Sequence, residues 1–450
     1  MTGASDRHAG AWNSASSVIR SGMQGGPVVV FDVNHRGEAD MMVLSPFSHF
    51  MATSLYQRNQ TGVPALEYGV MGSMITIPAN YMQSFIAFYS PHGVNEGVRE
   101  WGELMRRAYN RTDENRINDI TVNYLGYYTD NGGYYYYNTE PGKNYEQTMI
   151  DVEQQIKFPF HYLQIDSWWY YKGLNDGVAN WDARPDVFPD GLATFHRRVN
   201  NIPIAAHNRY WAYDNVYKQK YSFVLDAANT KALPVGNDSF WEDLLLEARN
   251  WGLILYEQDW LNVQTIDFLP TRTNIDLGEQ WLTSMGAAAE KMGINIQYCM
   301  SLPRHILQAI AIPRVTQARA SDDYAVNLRN QDKPTWNIGI TSMLADAIGI
   351  APFKDVLWST EAQSGSPYGP SATESFPDRA ILISTLSTGP VGPGDAINYT
   401  NVERIMRCCR EDGLILKPDR PLTTINEVIS DWASGGGVMP GELYSTTTTM

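Results

Sequence analysis

Cysteine is scarce in this 450-residue chain: Cys299, Cys408 and Cys409 are the only three, and none stands in a CxxC pair. That excludes a disulfide scaffold and a thiolate zinc site. Positive charge is short as well, with 34 Lys and Arg against 49 Asp and Glu and a net charge of -15. Nucleic acid and anionic membrane surfaces both need clustered cations, so neither is expected as a partner. No apolar run is long enough to span a bilayer. Residues 1–26 are polar and rich in Gly and Ser, and no basic segment leads into an apolar one, so no signal peptide is visible. His161, His196 and His207 lack metal-ligand spacing, and no metal is expected. The glycine runs at 389–394 and 434–437 have neither the Lys-Ser/Thr of a phosphate loop nor a strand-helix setting; they read as loops. No Gly-x-Ser-x-Gly elbow occurs, which argues against serine hydrolysis. No cofactor is expected.

What the chain has in quantity is aromatic surface: 26 Tyr and 13 Trp. Rings with polar handles suit a large core, and they equally suit a cleft that takes neutral sugars. Four Asn-x-Ser/Thr sequons, at Asn59, Asn110, Asn237 and Asn398, weakly favour a secreted or endomembrane setting without fixing it. A first convincing strand at 27–32 without preamble, and a terminal Thr-Thr-Thr-Thr-Met, lead to the expectation of a piece of a longer gene product.

Residues 27–92 alternate short apolar runs, at 27–32, 41–45, 67–71 and 85–89, with turn residues, the pattern of antiparallel β structure. Between 94 and 109 the period changes. Trp101, Leu104, Met105 and Ala108 share one helical face, which predicts a linking helix. After residue 118 the texture becomes strand, polar loop and helix in repetition. Strands are expected at 124–130, 162–166, 204–207, 253–256, 294–299, 315–319, 354–358 and 381–385, with helices among them at 240–251, 278–292 and 338–348. Eight strands over about 270 residues predict an α/β fold, a (β/α)8 TIM barrel preceded by a partial β-sandwich domain. The boundaries follow: an N-terminal β domain over 1–93, a link over 94–117, the barrel over 118–405, and the start of a C-terminal region over 406–450. After the last expected strand, 401–410 is expected to be helical.

In such a barrel, chemistry belongs at the carboxyl ends of the strands. The predicted ends carry Asp130-Asn131, Asp166-Ser-Trp-Trp169, His207-Asn-Arg-Tyr-Trp211, Glu257-Gln-Asp-Trp260 and Arg319-Ala-Ser-Asp-Asp323. Five ends that combine carboxylates with aromatic residues or Arg mark one site. Its candidate members are Asp130, Asp166, Trp168, Trp169, His207, Arg209, Trp211, Glu257, Asp259, Trp260, Arg319, Asp322 and Asp323. The Trp rings would offer sugar faces an apolar platform, with packing at the barrel rim as the alternative.

Three of these motifs resemble a known family. Asp259 closing strand four, Arg319-x-Ser-Asp322-Asp323 closing strand six, and Ile165-Asp-Ser-Trp-Trp169 at strand two look like the retaining α-glycosidase clan of α-galactosidases, α-glucosidases and raffinose synthases. The similarity covers residues 118–400, and the strand-six motif is its most specific part. The resemblance implies Asp259 as nucleophile, Asp322 as general acid/base, Asp166 as a ligand for sugar hydroxyls, and Arg319 as a holder of substrate or acid. Retention needs an ionised carboxylate to attack the anomeric carbon and a protonated carboxyl, about 5–5.5 Å away, to protonate the leaving oxygen.

The chain also departs from the pattern. The α-galactosidase branch has a Lys two residues before the nucleophile and two adjacent acids at strand two. This chain has Glu257 and Asp166-Ser167 there, and Trp260-Leu261 replaces the Met-Asn that follows an α-glucosidase nucleophile. The expected function is hydrolysis of an α-galactoside or α-glucoside. Transglycosylation of the raffinose-synthase type and a catalytically silent carbohydrate-binding relative are the alternatives.

Overall fold

A computed structural model describes residues 9–10, 19, 22–33, 39–58, 64–235, 239–326, 338–435 and 444–447. Its centre is a parallel sheet of seven strands: β1 (Gly126–Tyr128), β2 (Tyr162–Ile165), β3 (Ile204–Asn208), β4 (Leu253–Gln258), β5 (Asn295–Tyr298), β6 (Val315–Arg319) and β7 (Ala351–Phe353). Neighbours follow chain order from β1 to β7 and every pairing is parallel. A doubly wound sheet reverses its order at a switch point, whereas an unbroken progression is the winding of a barrel. Strands β2, β3 and β6 are buried at every residue, as parallel strands covered on both faces must be. Helices Phe240–Asn250 and Leu277–Met292 turn Leu244, Leu245, Trp281, Leu282 and Met285 into the core, on the faces their apolar spacing predicts.

Two expected strands sit elsewhere. The seventh ladder runs over Ala351–Phe353, ahead of the expected 354–358. The expected eighth, 381–385, lies inside the helix Pro377–Leu386, where Pro377, Ala380, Ile381, Ile383, Ser384 and Thr385 are buried. Pro at the first turn and burial at i, i+3 and i+4 favour a helix over the β-branched composition. The stretch 389–394 is a loop, as expected, with one isolated bridge at Pro393, and it carries backbone bonds to β1 and to Leu357, which lies beyond β7. Gly126 N and Tyr128 N donate to Val391 O and Pro393 O, each at 3.1 Å; Leu357 N donates to Gly392 O at 3.3 Å, and Gly394 N to Leu357 O at 2.9 Å.

Separate antiparallel sheets flank this centre. Val28–Val33, Ala39–Pro46 and Phe85–Ser90 form one, and Thr53–Arg58 with Ala65–Val70 another. The helix Gly93–Ala108 follows with Val94, Val98, Trp101 and Met105 buried; of the face expected from the spacing, Leu104 is half-buried and Ala108 exposed. A five-stranded sheet, unannounced by the sequence, is built from the segments that follow β2 and β3. Near the end Thr423–Thr424 pairs with Tyr444–Ser445, and the expected helix at 401–410 is confined to Val402–Met406. Asn110 and Asn398 are exposed; the other two sequons, at Asn59 and Asn237, and part of the 434–437 run lie outside the described residues.

Candidate active site

The parallel register of β3 and β4 sets His207 beside Glu257, and just past the ladder Asp259 N donates to Asn208 O at 2.8 Å. Asp259 therefore leaves the strand end pointing back at His207, whose Nε2 lies 3.0 Å from Asp259 Oδ2. The other carboxylate oxygen accepts from Trp260 N at 2.7 Å. Trp260 is in the left-handed region (φ 56°) and precedes the helix Leu261–Ile266, so the chain turns sharply around Asp259. Burial alone would raise the Asp259 carboxyl, but the His207 bond and charge, Arg319 and the Trp260 amide outweigh it and hold it below the ordinary carboxylate range. His207 is buried, which would lower it; Asp166, Asp259 and Glu257 overcome that and raise it. Its Nδ1 meets the Tyr170 hydroxyl at 3.1 Å.

Gln164 organises the acids on this floor. Its amide oxygen accepts from Thr129 N at 3.0 Å, which turns the amide nitrogen toward Glu257 Oε2 at 3.0 Å and Asp166 Oδ2 at 3.4 Å. Asp166 also accepts from Ser167 N at 2.5 Å. Glu257 is buried and its Oε1 has no hydrogen-bond partner among the described residues. Burial first, then Asp166 and Asp259, push Glu257 up to about 7 against the pull of His207 and Gln164. Asp130, also buried, accepts from Asn131 N at 2.6 Å. Burial, Asp355, Asp166 and Glu257 raise it well above its ordinary value, with Arg319 opposing.

On the far side Arg319 closes β6 between two carboxylates, Asp323 at 2.6 Å and Asp355 at 3.1 Å. Asp322 is half-buried beside them. Asn131 Nδ2 donates to Asp323 Oδ2 at 3.2 Å, so the turn after β1 meets the turn after β6. Asp355 accepts from Tyr324 N at 2.7 Å and Val356 N at 2.9 Å. Sequence reasoning missed Asp355, because a strand expected at 354–358 hid it inside a ladder; the observed β7 places it just past a strand end. Tyr170 and Gln164 were missed too. A Gln inside an apolar strand was the available signal for the second, since buried amides need partners.

The rings divide sharply. Trp168 stacks on Tyr145 at 4.0 Å and donates from Nε1 to Thr129 Oγ1 at 3.0 Å. Trp169 packs on Tyr170, Trp181 and Trp251, and Trp211 on Tyr217, Phe240 and Trp241. All three are at most 1 % exposed, so packing accounts for them. Trp260 is only half-buried and lies beneath the half-buried Arg209, whose guanidinium carbon is 5.1 Å from the ring centroid.

No family model and no curated protein matches the sequence. Solved structures match in fold. A GH36 α-galactosidase variant from Geobacillus stearothermophilus, solved with stachyose, aligns at TM-score 0.53 and 11% identity over 89% of this chain and 59% of its own. The galactosidase domain of an α-galactosidase-sucrose kinase aligns at TM-score 0.52 and 10% identity over 85% and 56%. An α-N-acetylgalactosaminidase variant from Bifidobacterium bifidum aligns at 0.48 and 12% over 91% and 74%. These structures belong to the retaining α-glycosidase clan that the sequence motifs resemble. The chain spans less than two thirds of the length of the first two.

Proposed function

We propose that this chain is a retaining glycoside hydrolase for an α-linked galactoside or glucoside, with Asp259 as nucleophile and Asp322 as general acid/base. The observation that carries the reading is Asp259 itself. It is buried yet held in its ionised form, with one donor on each oxygen, at the end of the fourth parallel strand. An attacking carboxylate needs that charge and a fixed aim. Asp259 displaces the leaving oxygen from the anomeric carbon while Asp322 protonates it. Water, deprotonated by Asp322, then displaces Asp259 and restores the starting configuration. Asp130, Asp166, His207, Glu257 and Asp323 supply hydrogen bonds to sugar hydroxyls, Arg319 fixes the acids of the sixth and seventh strand ends, and Arg209 with Trp260 forms the rim.

In this reading Val391–Gly394 acts as an eighth strand that closes the barrel, which occupies about 118–405 between the N-terminal β domain and the C-terminal region. Asp259→Ala is expected to lower turnover of aryl α-glycosides by on the order of 10⁴-fold or more, and the wild type to release the α-anomer first. Unchanged turnover in the variant would remove the assignment. Glu257 and Ser167, which stand where the α-galactosidase branch has Lys and a second acid, favour one further reading, a silent sugar-binding relative. Binding of galactosides or glucosides without turnover would select it.

A further inference from the structure

Asp166, His207 and Glu257 follow or end three adjacent strands, β2, β3 and β4. Each offers one donor atom that lies within 4.8 Å of the other two, and all three side chains are buried. Ligands held 2.0–2.2 Å from one tetrahedral zinc ion stand about 3.3–3.6 Å apart, so side-chain movements of up to about 1 Å close the set. A second observation is Glu257 Oε1, buried in this cluster with no partner among the described residues. A carboxylate oxygen in that position is costly unless something positive meets it.

The charge around the cluster agrees. Five buried carboxyls, Asp130, Asp166, Glu257, Asp259 and Asp355, face the buried Arg319 and His207, with half-buried Arg209 beyond. A bound dication would offset this excess. His207 is oriented through Asp259, the carboxylate-histidine arrangement that commonly backs a metal ligand. Ligation through one ring nitrogen exchanges one of its two hydrogen bonds, to Tyr170 or to Asp259.

We propose that Asp166, His207 and Glu257 form a site for a divalent transition-metal ion of the zinc or manganese type. One imidazole and two carboxylates is a donor set that suits these ions. The proposal does not depend on glycosidase activity, because it is read with the metal alone. Chelator-stripped protein is titrated with Zn²⁺ or Mn²⁺ by calorimetry and thermal unfolding. One equivalent should bind, raise the Tm, and bind more tightly at pH 8 than at pH 5.5 as protons leave the ligands. Glu257→Gln and Asp166→Asn should each weaken binding more than tenfold, while Asp186→Asn, which removes an exposed acid paired with Arg184, should not. Absence of binding, or binding unchanged in both variants, would each overturn the site.

Discussion

Glu257 is the residue at which burial and charge pull hardest against each other. Its carboxyl moves from an ordinary 4.5 to about 7 because burial, Asp166 and Asp259 all disfavour the anion. The sign follows from linkage. An acid raised on folding contributes its full stability below pH 4.5, and that contribution is lost as pH climbs through 7. At about 1.4 kcal/mol per pH unit the loss approaches about 3.5 kcal/mol. His207 is raised too and shifts stability in the same direction, so the comparison must be with a variant rather than along one curve. In metal-free protein, Glu257→Gln should match the wild type near pH 4.5 and exceed it by about 3 kcal/mol at pH 8 in urea unfolding. An equal difference at both pH values would show that Glu257 does not titrate between them. Asp259, lowered from 3.8, loses its contribution only below that window. The acids of this floor were legible as residues, since each ended an apolar run. Their unequal charge states were not, because Gln164, Tyr170 and the His207 contact come from other strands.

At the scale of elements, the strands and helices with clear periodicity appear where the sequence put them, and the errors cluster where tertiary contact overrides composition. The run 381–385 has the β-branched look of a strand, yet its buried positions recur at helical spacing from Pro377 onward. Val391–Gly394 has the Gly and Pro of a loop and is one, but its backbone also bonds β1 and Leu357, which the composition does not show. The glycines there are a packing requirement. A Cβ on Gly392 would collide with the buried Tyr128 ring, and one on Gly394 would come within 2.8 Å of the Tyr128 carbonyl oxygen. Sequence patterns cannot show so close an approach. Gly392→Ala should therefore cost about 3 kcal/mol by denaturant unfolding, the upper end of overpacking penalties. Gly72→Ala, where an added Cβ meets nothing within 4 Å, should stay within about 0.5 kcal/mol. A Gly392 variant as stable as the wild type would mean that this segment can move away from β1.

The whole molecule is held together by cations that the sequence does not advertise. Arg111 donates to the carbonyls of Ala309, Ile312, Val315 and Gly349, fastening the segment after the first long helix to the region around β6 and β7. Arg304, on the helix Pro303–Gln308 after β5, reaches into the N-terminal region. It donates to Met23 O at 2.6 Å, Met51 O at 2.7 Å, Thr53 O at 2.8 Å and Gly22 O at 3.1 Å. Burial pulls its guanidinium down to about 9. The planar fork serves four carbonyls at once, which neither an ammonium nor an apolar side chain can do. Arg304→Met should leave those oxygens buried without their donor and destabilise the protein by roughly 3 kcal/mol or more. Arg304→Lys should fail to restore it. The loss should be local in its consequence, because Arg304 ties residues 22–53 to the parallel sheet without bracing the strands themselves. Limited proteolysis should then cut the N-terminal region of the Met variant while the fragment carrying the seven parallel strands persists. Cleavage at the wild-type rate would mean that apolar contacts such as Met51 against Gly278 hold the two regions together without the arginine.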